Sequence, residues 1–151
     1  MLKVMLNSRL NVLPRIFVNF LLFLSVSMSH GQVVINELMA SNDTTIFDEQ
    51  GQFDDWLELY NITENSIDVS GMHLTDDLSI LTKWTIPEGT EIPALGFLLI
   101  WADGNEEDGL HHTNFRLSSS GEHLALVSVD GNTIIDDISF STQMTDISYG
   151  R

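Results

Sequence analysis

The sequence contains no cysteine, which removes disulfides, thiolate metal ligands and cysteine nucleophiles at once. That absence leaves the compartment open, because many exported proteins hold together by burial alone. Basic residues are almost as scarce: six Lys and Arg stand against 22 Asp and Glu, a formal net charge of −16. Lys3, Arg9 and Arg15 precede position 30, leaving Lys83, Arg116 and Arg151 beyond it. The first acid is Glu37, so the segment from Gln32 onward sets 22 acids against three bases, a formal −19. A surface so charged repels the phosphate backbone of nucleic acids, which proteins hold chiefly by Lys and Arg. It disfavours anionic membrane surfaces for the same reason. A sustained helical period is missing as well, and no second long apolar run follows the one near the N-terminus.

The first 31 residues read as an export signal. Three bases and no acid lead into Ile16-Phe17-Val18-Asn19-Phe20-Leu21-Leu22-Phe23-Leu24-Ser25-Val26-Ser27-Met28, the positive region and apolar core of a signal-peptide helix. Ser29-His30-Gly31 then places small residues three before and one before a cut at Gln32. The apolar run falls short of the roughly 20 residues a membrane span needs and is interrupted by Asn19. The expectation is a secreted or cell-surface product, residues 32–151, without stable membrane insertion after cleavage.

From Val33 onward, apolar runs of four to seven residues alternate with Gly, Asn, Asp and Ser clusters, the punctuation of many short strands. Strands are expected at 33–38, 55–61, 67–69, 72–75, 83–86, 97–101, 123–127 and 133–138. In Asp55-Trp56-Leu57-Glu58-Leu59-Tyr60-Asn61, Leu57 and Leu59 share one face, the core side, while Trp56, Glu58 and Tyr60 share the other. Trp56 and Tyr60 are therefore candidates for a ligand-stacking face; Trp84 and Trp101 are expected in or at the edge of the core. Asp130-Gly131 between two apolar runs reads as a hairpin turn and Pro87-Glu88-Gly89 as a second turn. Pro93 belongs at a strand edge or in a loop, because it lacks a ladder donor. About eight strands in roughly 120 residues is the spacing of a sandwich or barrel.

An ordered set of motifs carries a resemblance. Val34-Ile35-Asn36-Glu37-Leu38-Met39-Ala40-Ser41-Asn42 is followed by Asp54-Asp55-Trp56-Leu57-Glu58-Leu59-Tyr60-Asn61 and Asp68-Val69-Ser70-Gly71-Met72-His73-Leu74-Thr75-Asp76. Lys83-Trp84-Thr85-Ile86-Pro87, Ile100-Trp101-Ala102 and His112-Thr113-Asn114-Phe115-Arg116-Leu117-Ser118-Ser119-Ser120-Gly121-Glu122 complete it. Together, from Val33 to Arg151, they resemble the lamin-tail domain family in its bacterial secreted form. The resemblance implies an all-β, immunoglobulin-like sandwich serving as a non-catalytic module, often beside hydrolase regions in exported proteins. It brings no catalytic residues to transfer. Family members commonly continue past an element like Ser148-Tyr149-Gly150-Arg151, so either a truncated chain or a stand-alone module is expected.

Two acidic stretches invite a calcium reading, since calcium takes six to eight oxygens from carboxylates and carbonyls. They supply Asp48, Asp54 and Asp55 in the first, and Asp103 and Asp108 in the second, without EF-hand spacing in either. Ordinary Asx turns compete with that reading. His111-His112 offers imidazoles, but neighbours on a strand face opposite ways and no third ligand is placed by sequence. Asp55 with Glu58 as an acid/base pair and Ser118-Ser119-Ser120 as a nucleophile both lack a supporting constellation. Asn42-Asp43-Thr44 and Asn61-Ile62-Thr63 match glycosylation sequons by pattern. The function expected is binding or scaffolding toward an extracellular protein or polysaccharide, with no catalytic residues and no required cofactor. The alternatives are an accessory remnant of an extracellular hydrolase and a calcium-dependent carbohydrate-binding module.

Overall fold

The computed structural model describes residues 31–151, so the export signal lies outside the described residues apart from Gly31. Ten strands form in chain order: β1 (Val33–Met39), β2 (Trp56–Asn61), β3 (Ile67–Asp68), β4 (His73–Thr75), β5 (Trp84–Thr85), β6 (Glu91–Ile92), β7 (Phe97–Trp101), β8 (Gly121–Val127), β9 (Ile134–Ser141) and β10 (Tyr149–Gly150). They assemble into one four-stranded sheet ordered β10-β1-β2-β7, a second ordered β5-β4-β8-β9, and a two-stranded ribbon β3-β6. Every pairing between these strands is antiparallel. The chain is thus an immunoglobulin-like β-sandwich, with no helix among the described residues.

Alternation builds the core. Register aligns Leu38, Leu57 and Ile100 in one row across β1, β2 and β7, all three without solvent exposure. The facing sheet answers with Leu74 beside Leu126 and Leu124 beside Ile138. Burying one such side chain fully stabilises the fold by about 1.5–3 kcal/mol. On β1, Ile35 and Leu38 both face inward although three positions apart, because a bulge at Asn36 inserts one residue opposite the β2 ladder. The Ile35 amide donates to Asp136 Oδ2 on β9 at 2.8 Å. Asp136 Oδ1 accepts from Arg151 at 2.8 Å, and the Arg151 amide donates to the Asn36 carbonyl. One carboxylate therefore ties β9 to both β1 and the C-terminal residue.

Strand expectations agree closely with the observed elements. The Asp130-Gly131 turn joins β8 to β9, with Gly131 at φ 68° and the Asp130 carboxylate accepting from the Asn132 and Thr133 amides. β6 and β10 are additional to the expected strands, each only two residues long and defined by its partner. Pro93 directly follows β6.

One aromatic expectation needs correction. Trp56 is only 8% exposed and packs with Met39 and Trp101 in a separate cluster. Met39, Trp56 and Trp101 form one cross-strand row on the outer face of the first sheet. Thr45 Oγ1 reaches Met39 Sδ at 3.2 Å and the His112 ring lies against Trp101, so loops roof that end of the face. Trp56 is accordingly not available as an open stacking platform. Trp101 belongs to this outer cluster, whereas Trp84 is in the main core. Tyr60 stays partly exposed but stacks on Phe97, ring centroids 4.6 Å apart.

Candidate functional site

The register that aligns Met39, Trp56 and Trp101 also decides where loops emerge. The end of β1, the start of β2 and the end of β7 lie side by side, so segments 40–55 and 102–120 leave the sandwich together. Both carry acids. Their backbones are stitched by the Ala102 amide donating to the Asp55 carbonyl at 2.7 Å and by Gln50 Nε2 donating to the Asp108 carbonyl at 2.6 Å.

Asn42 organises the first loop from within. It is buried, donates through Nδ2 to the carbonyls of Ile46 and Asp54, and accepts from the Thr45 amide. Asn61 does the same lower down, its Nδ2 donating to the carbonyls of Asn65, Ile92 and Pro93. Both sequon amides are therefore committed inside the fold: Thr63 of Asn61-Ile62-Thr63 closes an Asx-type turn on Asn61, whereas Asn42 Oδ1 accepts from Thr45, one residue past its pattern, and Thr44 turns to Asp146. Asp146, at φ 61°, anchors the same end by accepting from the Asp43 and Thr44 amides.

Between the loops lies an open cleft of about 370 Å³. Asp43, Asp54, Asp55 and Asp103 line it with Arg116 over a floor that includes Ala40 and Ala102. Burial pushes the Asp54 carboxyl above its ordinary range, and the negative charges of Asp103 and Asp48 push it further. Asp54 Oδ2 is buried without a hydrogen-bond partner. Burial likewise raises Asp55 to about 6, against the amide of Asn42 that bonds its Oδ1. Arg116 moderates both, and its Nε donates to the Asp103 carbonyl at 2.6 Å.

The five acids named from sequence thus divide. Asp54, Asp55 and Asp103 line the cleft, whereas Asp48 and Asp108 meet His112 beside it, donor atoms all within 4.8 Å of one another. His112 is 2% exposed and its Nδ1 lies 2.8 Å from Asp103 Oδ2, so Asp103 touches both places. Burial works against a charge on His112, but hydrogen bonds donated to Asp103 and Glu49, with the negative charges of both, outweigh it and raise its pKa. His111 is engaged differently, its carbonyl accepting from the Trp101 amide. Tertiary structure supplies the further His112 partners that sequence spacing left unplaced; no local motif links position 48 to 108 and 112.

Other sequence candidates separate. Glu58 accepts from Asn36 Nδ2 on the outer sheet face and does not line the cleft with Asp55. Ser118 and Ser120 bond each other at 2.7 Å, and the Ser118 amide donates to Glu122.

A two-sheet frame presenting an acid-rich loop end defines the class: an immunoglobulin-like module. The family model described as Lamin Tail Domain matches residues 26–142, most of the chain, and the protein belongs to that family. A search of curated proteins returned no match. The matched segment ends before β10, although β10 pairs with β1.

Proposed function

We propose that the chain acts as a non-catalytic recognition module of an exported or cell-surface assembly, holding a protein or polysaccharide partner at the loop end of the sandwich. The observation that carries this reading is the cleft, where four carboxylates face one guanidinium. Keeping Asp54 and Asp55 there costs stability, since burial opposes their charge. Rigid frames that hold such unfavourable groups in a hollow are where binding sites concentrate. The chemistry favours a partner group bearing positive charge or several hydroxyls. The purified protein, screened against glycan arrays and cell-surface proteins, should bind a partner, with binding weakened by Asp43→Asn and Asp54→Asn together. Binding indifferent to both substitutions, or hydrolysis by the purified chain, refutes the proposal.

A calcium-ordered cleft is a second reading, supported by the unpartnered Asp54 Oδ2 beside Asp55 and Asp103. A rise in melting temperature with calcium and none with magnesium supports it; no shift at millimolar calcium eliminates it.

A further inference from the structure

We propose that Asp48, Asp108 and His112 form a binding site for one divalent transition-metal ion of the zinc class, distinct from the acidic cleft. The three residues come from both loops and bring one donor atom each to within 4.8 Å of one another. A tetrahedral zinc site with bonds of about 2.0–2.2 Å sets its donors about 3.4 Å apart, so closure by roughly an ångström completes the set. Asp108 is the partly exposed member, its Oδ2 accepting a long bond from Gln52 Nε2 at 3.3 Å that a metal would replace.

Two features argue for a ligand rather than a chance cluster. Asp48 is only 5% exposed; its Oδ1 accepts from the Gln50 and Gln52 amides, leaving Oδ2 buried and without a partner. A buried carboxylate oxygen with no donor is expensive unless something positive fills the place. The second feature is the ring of His112. With Nδ1 held by the Asp103 carboxylate at 2.8 Å, a neutral ring carries its proton there and presents Nε2 as a lone pair. This carboxylate-to-imidazole arrangement is how metal-ligating histidines are oriented. Trp101 supports one face of the ring, and Gly109 leaves room for it, since a Cβ there would meet His112 Cδ2 at 2.9 Å. Glu49 Oε2 lies 3.4 Å from Nε2 but outside the group of three donors that lie within 4.8 Å of one another.

The donor set decides the metal class. An imidazole nitrogen with two carboxylates suits zinc, cobalt(II) or manganese, whereas calcium and magnesium take oxygen donors almost exclusively. Metal here would join residues of both loops and stiffen the end of the sandwich that carries the cleft.

The untagged, chelator-treated protein titrated with cobalt(II) and zinc tests this. One equivalent should bind, with a visible cobalt spectrum that zinc abolishes and millimolar calcium does not. Asp108→Asn, in a partly exposed side chain that the core does not need, should weaken cobalt binding about tenfold or more. His112→Gln should abolish it, and His111→Ala should leave it unchanged. No cobalt binding, binding intact in Asp108→Asn, equal loss in His111→Ala, or displacement by calcium each overturns the proposal.

Discussion

Asp55→Asn should make the protein more stable at neutral pH, and only there. Burial raises the Asp55 carboxyl from an ordinary 3.8 to about 6, with Asp54 and Asp43 adding to the rise against the Asn42 amide and Arg116. A folded-state pKa above the unfolded value means the folded chain prefers the proton. Its stabilising contribution is therefore complete below pH 3.8 and lost as pH rises through 6. Two units correspond to about 3 kcal/mol at face value, and solvent screening of this partly exposed group reduces that to about 1–2 kcal/mol. Asparagine keeps an oxygen for the Asn42 amide while removing the charge. At pH 7.5 the variant should melt several degrees higher, about 3–5 °C per kcal/mol for a domain of this size. At pH 3.5, where Asp55 is protonated in the folded chain and mostly protonated in the unfolded one, the two proteins should melt within about a degree of each other. Thermal denaturation followed by circular dichroism across that range is the assay. A destabilised variant at pH 7.5, or an equal gain at pH 3.5, refutes the reasoning.

Other substitutions probe the frame. Asn61→Ala strips donors from three buried or partly buried carbonyls and should cost about 2–4 kcal/mol in urea denaturation. Asp136→Ala removes the acceptor of the Ile35 amide and the partner of Arg151, for a loss of about 1–3 kcal/mol. Gly121→Ala should reduce stability by at least about 2 kcal/mol, because Gly121 sits at φ 98° and a Cβ would meet the Phe140 carbonyl at 2.6 Å. Trp56→Phe should fall within about 1 kcal/mol of the parent, since the indole Nε1 it deletes is buried without a partner.

How far the sequence can be read is clearest at β2. Leu57 and Leu59 are core because side chains on a strand alternate, a property of local geometry that needs no knowledge of neighbours. Trp56 has the same alternation in reverse, yet it is buried, because Met39, Trp101 and the overlying loops cover it. Alternation names a face; it does not say what packs on that face. β6 and β10 are illegible for a related reason, since Ile92 runs into Pro93 and Tyr149 into Gly150, leaving no apolar run, and each strand is defined by its partner. At the site, composition identified both acidic loops but not their grouping.

By itself, the sequence determined the all-β class, the inward leucines, the hairpin at Asp130-Gly131 and the acidity of two loops, all consequences of local periodicity, turn chemistry and charge. Tertiary structure decided what those loops become. Antiparallel register brings Met39, Trp56 and Trp101 into one row, and that alignment sets Asp48, Asp108 and His112 within reach of one another although 64 positions separate the first from the last. Such proximity depends on long-range pairing, which no window of neighbouring residues contains.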